Sequence, residues 1–200
     1  MGPVRSMLAG IGSQVMVVVE TVRDIARVFG LTLYYLFNGQ TGKARRDAVF
    51  AQMHEIGNRS LVFIAVTLGF LGMILIFQSG YQAMRITGDL QLLGALYLQL
   101  LLREFAPTIT AMMIATRAGT GMAAQIGSMV VTEQVDALRM SSAQPVDYLV
   151  VPRFLASTVM VVVLTIFAVG VAYVSGAFTA LTFFGLNLRT FFDISMIGWF

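Results

Sequence analysis

The stretch SLVFIAVTLGFLGMILIFQSGYQAM, residues 60–84, decides the fold class of this chain. It runs for 25 residues without a charged side chain. A helix of about 20 apolar residues is long enough to cross the roughly 30 Å hydrocarbon core of a bilayer. The stretch therefore predicts a membrane-spanning helix.

The composition of the whole chain also indicates a membrane protein. Of its 200 residues, 58% are hydrophobic and only 12% are charged, whereas an average soluble domain carries about 25% charged residues. We therefore expect an all-α integral membrane protein. The formal charge of +3 gives no case for a nucleic-acid partner. With no cysteine and a single histidine, His54, neither a disulfide framework nor a metal site is expected.

Two further spans are expected along the chain. The second runs from about residue 90 to residue 116, and the third from roughly residue 154 to residue 178. A short helix or loop containing Gly185 and Asn187 should follow on the outer face. Seven Lys and Arg residues precede the first span, and such residues accumulate on the cytoplasmic side. This distribution predicts a cytoplasmic N-terminus, and a cytoplasmic location for the segment between the second and third spans.

Apolar residues recur at steps of three and four through residues 11–29. This spacing predicts an N-terminal helix with one apolar face. Such a helix lies in the membrane interface or packs on another protein, and the spacing leaves both open. Residues 1–42 are interpreted as N-terminal interfacial helices and a linker, with the linker sequence NGQTGKARRD beginning at residue 38. Residues 43–200 are interpreted as the transmembrane domain. Its last residues, DISMIGWF, look like the start of another span, so we expect this domain to be truncated.

Arg103 and Glu104 lie near the middle of the second span, with Pro107 one turn later. An ionisable residue at the centre of a span costs about 2.5–3.5 kcal/mol on insertion scales. Adjacent residues on a helix do not face each other, so each of the two is expected to find its partner on another helix or on a ligand headgroup. A structural salt bridge between helices and a ligand contact both remain open.

The glycine-rich segment after the second span has two possible interpretations. Residues 119–124, GTGMAA, fit the pattern of a dinucleotide-binding loop. That loop requires a preceding strand, whereas a membrane span precedes it here, and the chain also lacks a Walker A motif. We therefore expect no nucleotide on this chain. Four small residues at every fourth position instead predict a helix-packing surface, namely Ala115, Gly119, Ala123 and Gly127.

Residues 129–140 predict a short amphipathic helix within the cytoplasmic segment. Val131, Val135 and Leu138 share one face, and the charged residues lie largely elsewhere. Spacing alone favours a solvated connector at the membrane surface over a helix that docks in a groove on a soluble partner.

Four blocks of this sequence resemble the MlaE-type, or YrbE-like, permeases. These are the membrane subunits of lipid-transporting ABC systems associated with MCE proteins. The blocks are QMHEIGNRSLVFIAVTLGFLGMILIFQSGY, LLREFAPTITAMMIATRAG, AAQIGSMVVTEQVDAL and PVDYLVVPR. The positions that carry the resemblance are Gln52, Ile56, Gly57, Ser60, Gln78, Tyr81, Arg103, Glu104, Pro107, Arg117, Gly119, Gly127, Met129, Glu133, Gln134, Ala137, Leu138, Pro145, Pro152 and Arg153.

The resemblance implies a permease subunit of the bacterial inner membrane, without catalysis of its own, that acts as a homodimer. It implies two cytosolic ABC ATPase subunits carrying ATP and Mg, an MCE-domain lipid-binding protein on the outer face, and phospholipid or a similar lipid as the substrate. The family's coupling helix, which would turn ATPase closure into movement of the spans, corresponds here to Glu133, Gln134, Ala137 and Leu138.

The same resemblance implies a lipid cavity in or beside which Tyr81, Arg103 and Glu104 lie. A guanidinium suits a phosphate headgroup, and Leu75 and Phe105 are added from their positions as contacts for acyl chains.

Two features depart from the family pattern. Gln125 stands where the family usually has Glu, which removes a possible charge from the cytoplasmic block. Family members also have five spans, whereas about three are expected here. Two other functions are compatible with the sequence. One is an ion-coupled secondary transporter, suggested by the charges at residues 103 and 104, and the other is a structural membrane scaffold.

Overall fold

The computed structural model describes residues 3–38, 43–86, 88, 90–91 and 93–192. Within these ranges the chain is helical and contains no strand, which confirms the predicted all-α class. The helices are α1 (Pro3–Asn38), α2 (Lys43–Ile86), α3 (Leu93–Leu100), α4 (Ala106–Val131), α5 (Gln134–Met140), α6 (Val151–Phe184) and α7 (Leu188–Phe191), and π-helical segments occupy Leu101–Phe105 and Val146–Val150.

Three helical stretches in the described part of the chain are long and apolar enough to cross a membrane. They are Arg45–Ile86, Leu93–Val131 and Val146–Phe184. The first and third contain the spans predicted from the sequence and extend beyond them, whereas the second begins about three residues later than predicted and continues to Val131. The chain is therefore a multi-pass membrane protein.

Helix α2 begins earlier than the sequence analysis expected. Residues 43–47, predicted to belong to a linker, form its first turns. The prediction was wrong there because Lys, Ala and Arg are good helix formers, and neither Gly nor Pro interrupts residues 43–56. The preceding residues 39–42 lie outside the described ranges. At about 66 Å, the 44-residue helix is longer than a bilayer core, so its charged N-terminal turns extend beyond the apolar stretch.

Helix α1 is one continuous helix of 36 residues, longer than the predicted 11–29. Its apolar residues are largely exposed; Val15, Val22 and Phe29, for example, expose 55%, 59% and 54% of their surface. Placement of this face in the membrane interface stays a prediction.

The third span ends about six residues later than predicted, at residue 184 rather than about 178. Helix α6 continues to Phe184, and Gly185 then adopts the left-handed conformation (φ 61°) that commonly terminates helices. After the break the short helix α7 begins at Leu188. The residues DISMIGWF, predicted to start another span, lie outside the described ranges.

The chain forms two compact units. One comprises residues 1–49 and 129–154, and the other comprises residues 50–128 and 155–200. The first unit joins α1 to the segment around α5, and the second contains the apolar parts of the three spans. The domain division at residues 42 and 43 stays a prediction.

Tyr97 organises the core of the second unit. Its side chain is 3% exposed, and its hydroxyl donates a 2.8 Å hydrogen bond to the carbonyl oxygen of Ala172. A Cβ atom on Gly72 would lie 2.5 Å from that same oxygen and 2.8 Å from the Tyr97 hydroxyl. Ser175 adds a hydrogen bond of 2.9 Å to the Gly69 carbonyl. The spans therefore approach closely, where small residues allow it and buried hydroxyls find partners.

Candidate functional site

Arg103 and Glu104 lie in the π-helical segment Leu101–Phe105. The backbone N–H of Ala106 donates to the carbonyl of Leu101, five residues earlier. Pro107 follows at once and cannot donate to the carbonyl of Arg103, so the α-helical ladder is interrupted here. Such π-bulges are frequent at functional sites. The bulge thus coincides with the charged pair predicted from the sequence.

Both charged side chains face outward from this chain. Arg103 and Glu104 are exposed, and Phe105 is half-buried. Among the described residues neither forms an ion pair. A salt bridge between helices of this chain is therefore not formed in the described region. The two charges are available to a lipid, a cavity or a second protein chain.

Tyr81 lies near the C-terminal end of α2, away from the middle of a span. Its ring is 55% exposed and packs edge-on against Phe77 at 4.9 Å and Phe184 at 5.8 Å. Leu75 is half-buried in the same helix. No hydrogen bond joins Tyr81 to Arg103 or Glu104 in the described structure. The predicted cavity residues thus lie on separate elements, and their assembly into one cavity stays a prediction.

The predicted coupling residues occupy a turn and the helix that follows it. Glu133 is the residue before α5, in the left-handed conformation (φ 58°, ψ 12°), and its carbonyl accepts a 3.0 Å hydrogen bond from Ala137. Only Gln134, Ala137 and Leu138 lie on α5 itself, so Glu133 belongs to the turn rather than to the helix. A left-handed non-glycine residue is strained by about 1–3 kcal/mol and is often found at functional positions.

An open apolar groove of about 390 Å³ lies beside α5. Val135 and Leu138 line it from α5, and Tyr148 and Leu149 line it from the π-helical segment Val146–Val150. Val131, the third residue of the predicted apolar face, instead ends α4 and is exposed, so the helix predicted over residues 129–140 is interrupted between α4 and α5. On the rest of the helix Asp136 and Arg139 pair with each other at 3.0 Å and are exposed. Helix α5 therefore combines an accessible apolar side with a polar surface.

Arg45 connects three parts of the first unit. Its side chain donates hydrogen bonds of 3.4 and 3.3 Å to the carbonyl of Tyr35 near the end of α1. It also lies 3.8 Å from Asp147 in the π-helical segment after α5. Their side chains are 13% and 27% exposed, so solvent screens the pair only in part. The sequence does not distinguish Arg45 from its neighbours, since it lies in a basic segment with Lys43 and Arg46.

The small-residue surface of α4 is exposed in this chain. Ala115, Gly119, Ala123 and Gly127 are all solvent-accessible, and an added Cβ on either glycine would meet nothing within 4 Å. The described part of the chain therefore supplies no packing partner for this surface. A partner on another chain stays a prediction.

A polar cluster that sequence reasoning missed joins α2 to α4. The Gln125 side-chain amide donates a 3.0 Å hydrogen bond to Glu55 Oε1, and Arg59 pairs with the same oxygen at 3.1 Å. The guanidinium of Arg117 lies 4.8 Å from the centre of the Phe63 ring, a cation–π geometry. In the sequence Gln125 stands out only for the charge that it lacks, because a contact across 70 positions carries no local signal.

Comparison with known proteins identifies the kind of membrane protein that this architecture belongs to. The profile of the family described as Permease MlaE matches residues 49–196, which include the second and third spans and all but the first four residues of the first. The chain belongs to the MlaE permease family.

Curated relatives agree with this membership. The chain is 34% identical over 169 residues to a probable ABC transporter permease protein of Synechocystis sp., with 84% of this chain and 64% of the relative aligned. It is 31% identical over 186 residues to the intermembrane phospholipid transport system permease protein MlaE of Haemophilus influenzae, with 90% of this chain and 71% of the relative aligned. It is 32% identical over 152 residues to the chloroplastic trigalactosyldiacylglycerol 1 protein of Arabidopsis thaliana, with 76% of this chain and 43% of the relative aligned. The chain thus spans a little under two thirds of the Synechocystis protein.

Proposed function

We propose that this chain is the membrane permease subunit of an ABC transporter that moves phospholipid or a similar lipid. The observation that carries the proposal is membership of the MlaE permease family across all three spans. The names of the Synechocystis and Haemophilus relatives, an ABC transporter permease and a phospholipid transport permease, support the same role.

In this proposal the segment around α5 receives the ATPase. Ala137, Leu138 and the neighbouring groove offer apolar contact area, and the exposed side chains of Glu133 and Gln134 offer polar contacts. ATP and Mg belong to the cytosolic partner subunits, so this chain performs no catalysis of its own. Closure of the ATPase pair then moves the spans as rigid bodies. This role requires an inner-membrane protein with its N-terminus and α5 in the cytoplasm.

Lipid contacts and further partners complete the proposal. Arg103 and Glu104 face away from this chain, so they are suited to a cavity shared with a second permease copy. Arginine binds phosphate groups well, and Tyr81, Leu75 and Phe105 offer apolar surface for acyl chains. An MCE-domain protein on the outer face passes lipid to or from that cavity.

The test is transport in proteoliposomes that contain the full-length permease and the ABC ATPase encoded alongside its gene. We expect ATP-dependent movement of a fluorescent phospholipid, and loss of that movement with a hydrolysis-deficient ATPase. Transport driven by a proton or sodium gradient without the ATPase would instead identify a secondary transporter. An intact assembly without any ATP-dependent lipid movement would favour a scaffold. Unchanged transport in the double variant Arg103→Ala/Glu133→Ala would show that neither charge is needed for transport.

A further inference from the structure

A small cavity with a mixed polar and apolar lining lies between α2 and α4 in the second unit. Its volume is about 40 Å³, room for about three water molecules. Six polar side chains line it, namely Gln52, Glu55, Arg59, Ser60, Arg117 and Gln125. This size suits a compact polar group and excludes an acyl chain.

The charges in the cavity leave one positive group without an acidic partner. Glu55 Oε1 is occupied by Arg59 at 3.1 Å and by the Gln125 amide at 3.0 Å. Arg117 forms no ion pair within the described ranges. Its guanidinium lies over the face of the Phe63 ring. Two arginines and one carboxylate therefore give the cavity a surplus positive charge.

A buried hydroxyl also faces this cavity. Ser60 is 2% exposed, and its Oγ has no hydrogen-bond partner among the described residues. A buried polar atom without a partner is costly, so a ligand acceptor in the cavity would stabilise it. The surplus charge and the free donor both select an anion.

The depth of the cavity selects the kind of anion. Arg59 directly precedes the uncharged residues 60–84, and Arg117 lies about 36 Å along the second span from Leu93, just past the roughly 30 Å of hydrocarbon. Both arginines therefore lie at the boundary where lipid phosphates are found. We propose that this cavity binds a phosphate group, with Arg117 and Ser60 as donors, and that a phospholipid headgroup of the adjacent leaflet is its source.

The test measures binding of short-chain phosphatidylglycerol and, separately, of inorganic phosphate to the purified full-length protein, by native mass spectrometry and calorimetry. We expect Arg117→Gln to weaken phosphatidylglycerol binding about tenfold or more, because a charge-assisted hydrogen bond is lost. Arg85→Gln is the matched control, since it removes an exposed arginine from the other end of α2 and should leave binding unchanged.

Two isosteric variants give the sign of the charge effect. Glu55→Gln removes the only carboxylate in the lining and should strengthen binding, whereas Gln125→Glu adds a second carboxylate and should weaken it. The proposal would be overturned if a folded Arg117→Gln variant bound phosphatidylglycerol as tightly as the wild type does. It would also be overturned if Gln125→Glu strengthened that binding. Binding of the lipid without binding of free phosphate supports the headgroup as the source, and comparable binding of both supports a phosphate site that also accepts the soluble ion. All these readouts are independent of transport, so they stand or fall separately from the permease function.

Discussion

At the scale of single residues, close helix packing depends on positions where no side chain fits. Gly72 is one of them, because its missing Cβ leaves room for the Ala172 carbonyl and the Tyr97 hydroxyl. These two groups form the hydrogen bond that ties α3 to α6. The glycine and the buried tyrosine therefore act together.

Gly72→Ala should lower the free energy of unfolding by about 1–3 kcal/mol, because the added methyl group overpacks this contact. Thermal unfolding in detergent, followed by circular dichroism, measures the change. Gly170→Ala is the control, since a Cβ there meets nothing within 4 Å and alanine favours a helix by roughly 0.5–1 kcal/mol. Equal melting of the two variants would show that the close approach at Gly72 is unimportant.

Glu133 combines a left-handed backbone with an exposed carboxylate, and two substitutions separate these features. Glu133→Gln keeps the backbone but removes the charge, and Glu133→Gly relieves the backbone strain and removes the whole side chain. If the carboxylate couples the subunits, both variants should move less lipid per ATP hydrolysed in the reconstituted transporter. Normal coupling in both would remove the carboxylate from the mechanism.

At the scale of elements, the first unit depends on a tie between α1 and the π-helical segment after α5. Arg45 makes that tie through the Tyr35 carbonyl and Asp147. Asp147 Oδ1 has no hydrogen-bond partner in the described structure, since the ion pair at 3.8 Å is too long for one. Arg45 is therefore the main compensation for this buried oxygen.

Arg45→Gln should cost about 1–3 kcal/mol, since it leaves the Asp147 carboxylate unpaired. The expected local result is faster hydrogen exchange in residues 146–150. In a double-mutant cycle Asp147→Asn should recover part of the loss, because it removes the orphaned charge. Strictly additive effects would mean that the two residues do not interact.

The exposed small-residue surface of α4 makes a second prediction at this scale. Gly119→Leu should leave the unfolding temperature nearly unchanged, because nothing in this chain lies within 4 Å of that position. It should, however, weaken association with a second permease copy, which cross-linking in membranes would reveal. Gly170→Leu is the control, because it makes the same change at an exposed glycine of α6 and should leave the association unchanged. An intact dimer with Gly119→Leu would exclude this surface from the interface.

At the scale of the whole molecule, the spans were predictable because uncharged length is a strong local signal. Residues 60–84 predict the first span without any tertiary information. The same signal underestimated the helices, since α2 and α4 continue through charged or small residues that are compatible with a helix. The π-helical segments and the Gln125–Glu55 contact were not predictable. Each depends on particular hydrogen bonds, and the spacing of apolar residues along the sequence carries no information about them.

The proposed topology is testable because the chain contains no cysteine. Single cysteines at Arg46, Ser142 and Gln91, all exposed positions, should report the two sides of the membrane. We expect a membrane-impermeant maleimide to label Gln91→Cys in spheroplasts and the other two only after permeabilisation. Labelling of Ser142→Cys in intact spheroplasts would reverse the proposed location of α5.

The π-helical segment Leu101–Phe105 holds one more residue in its turn than an α-helix does, because its hydrogen bond spans five residues rather than four. Removing one residue here would shorten that turn and leave the orientation of the residues from Ala106 to Val131 nearly unchanged. Arg117 and Gly119 would then keep their surfaces. A single-residue deletion elsewhere in the span would instead rotate the helix below it by about 100°, so a gap in an alignment has a different meaning at this segment than in the rest of the helix.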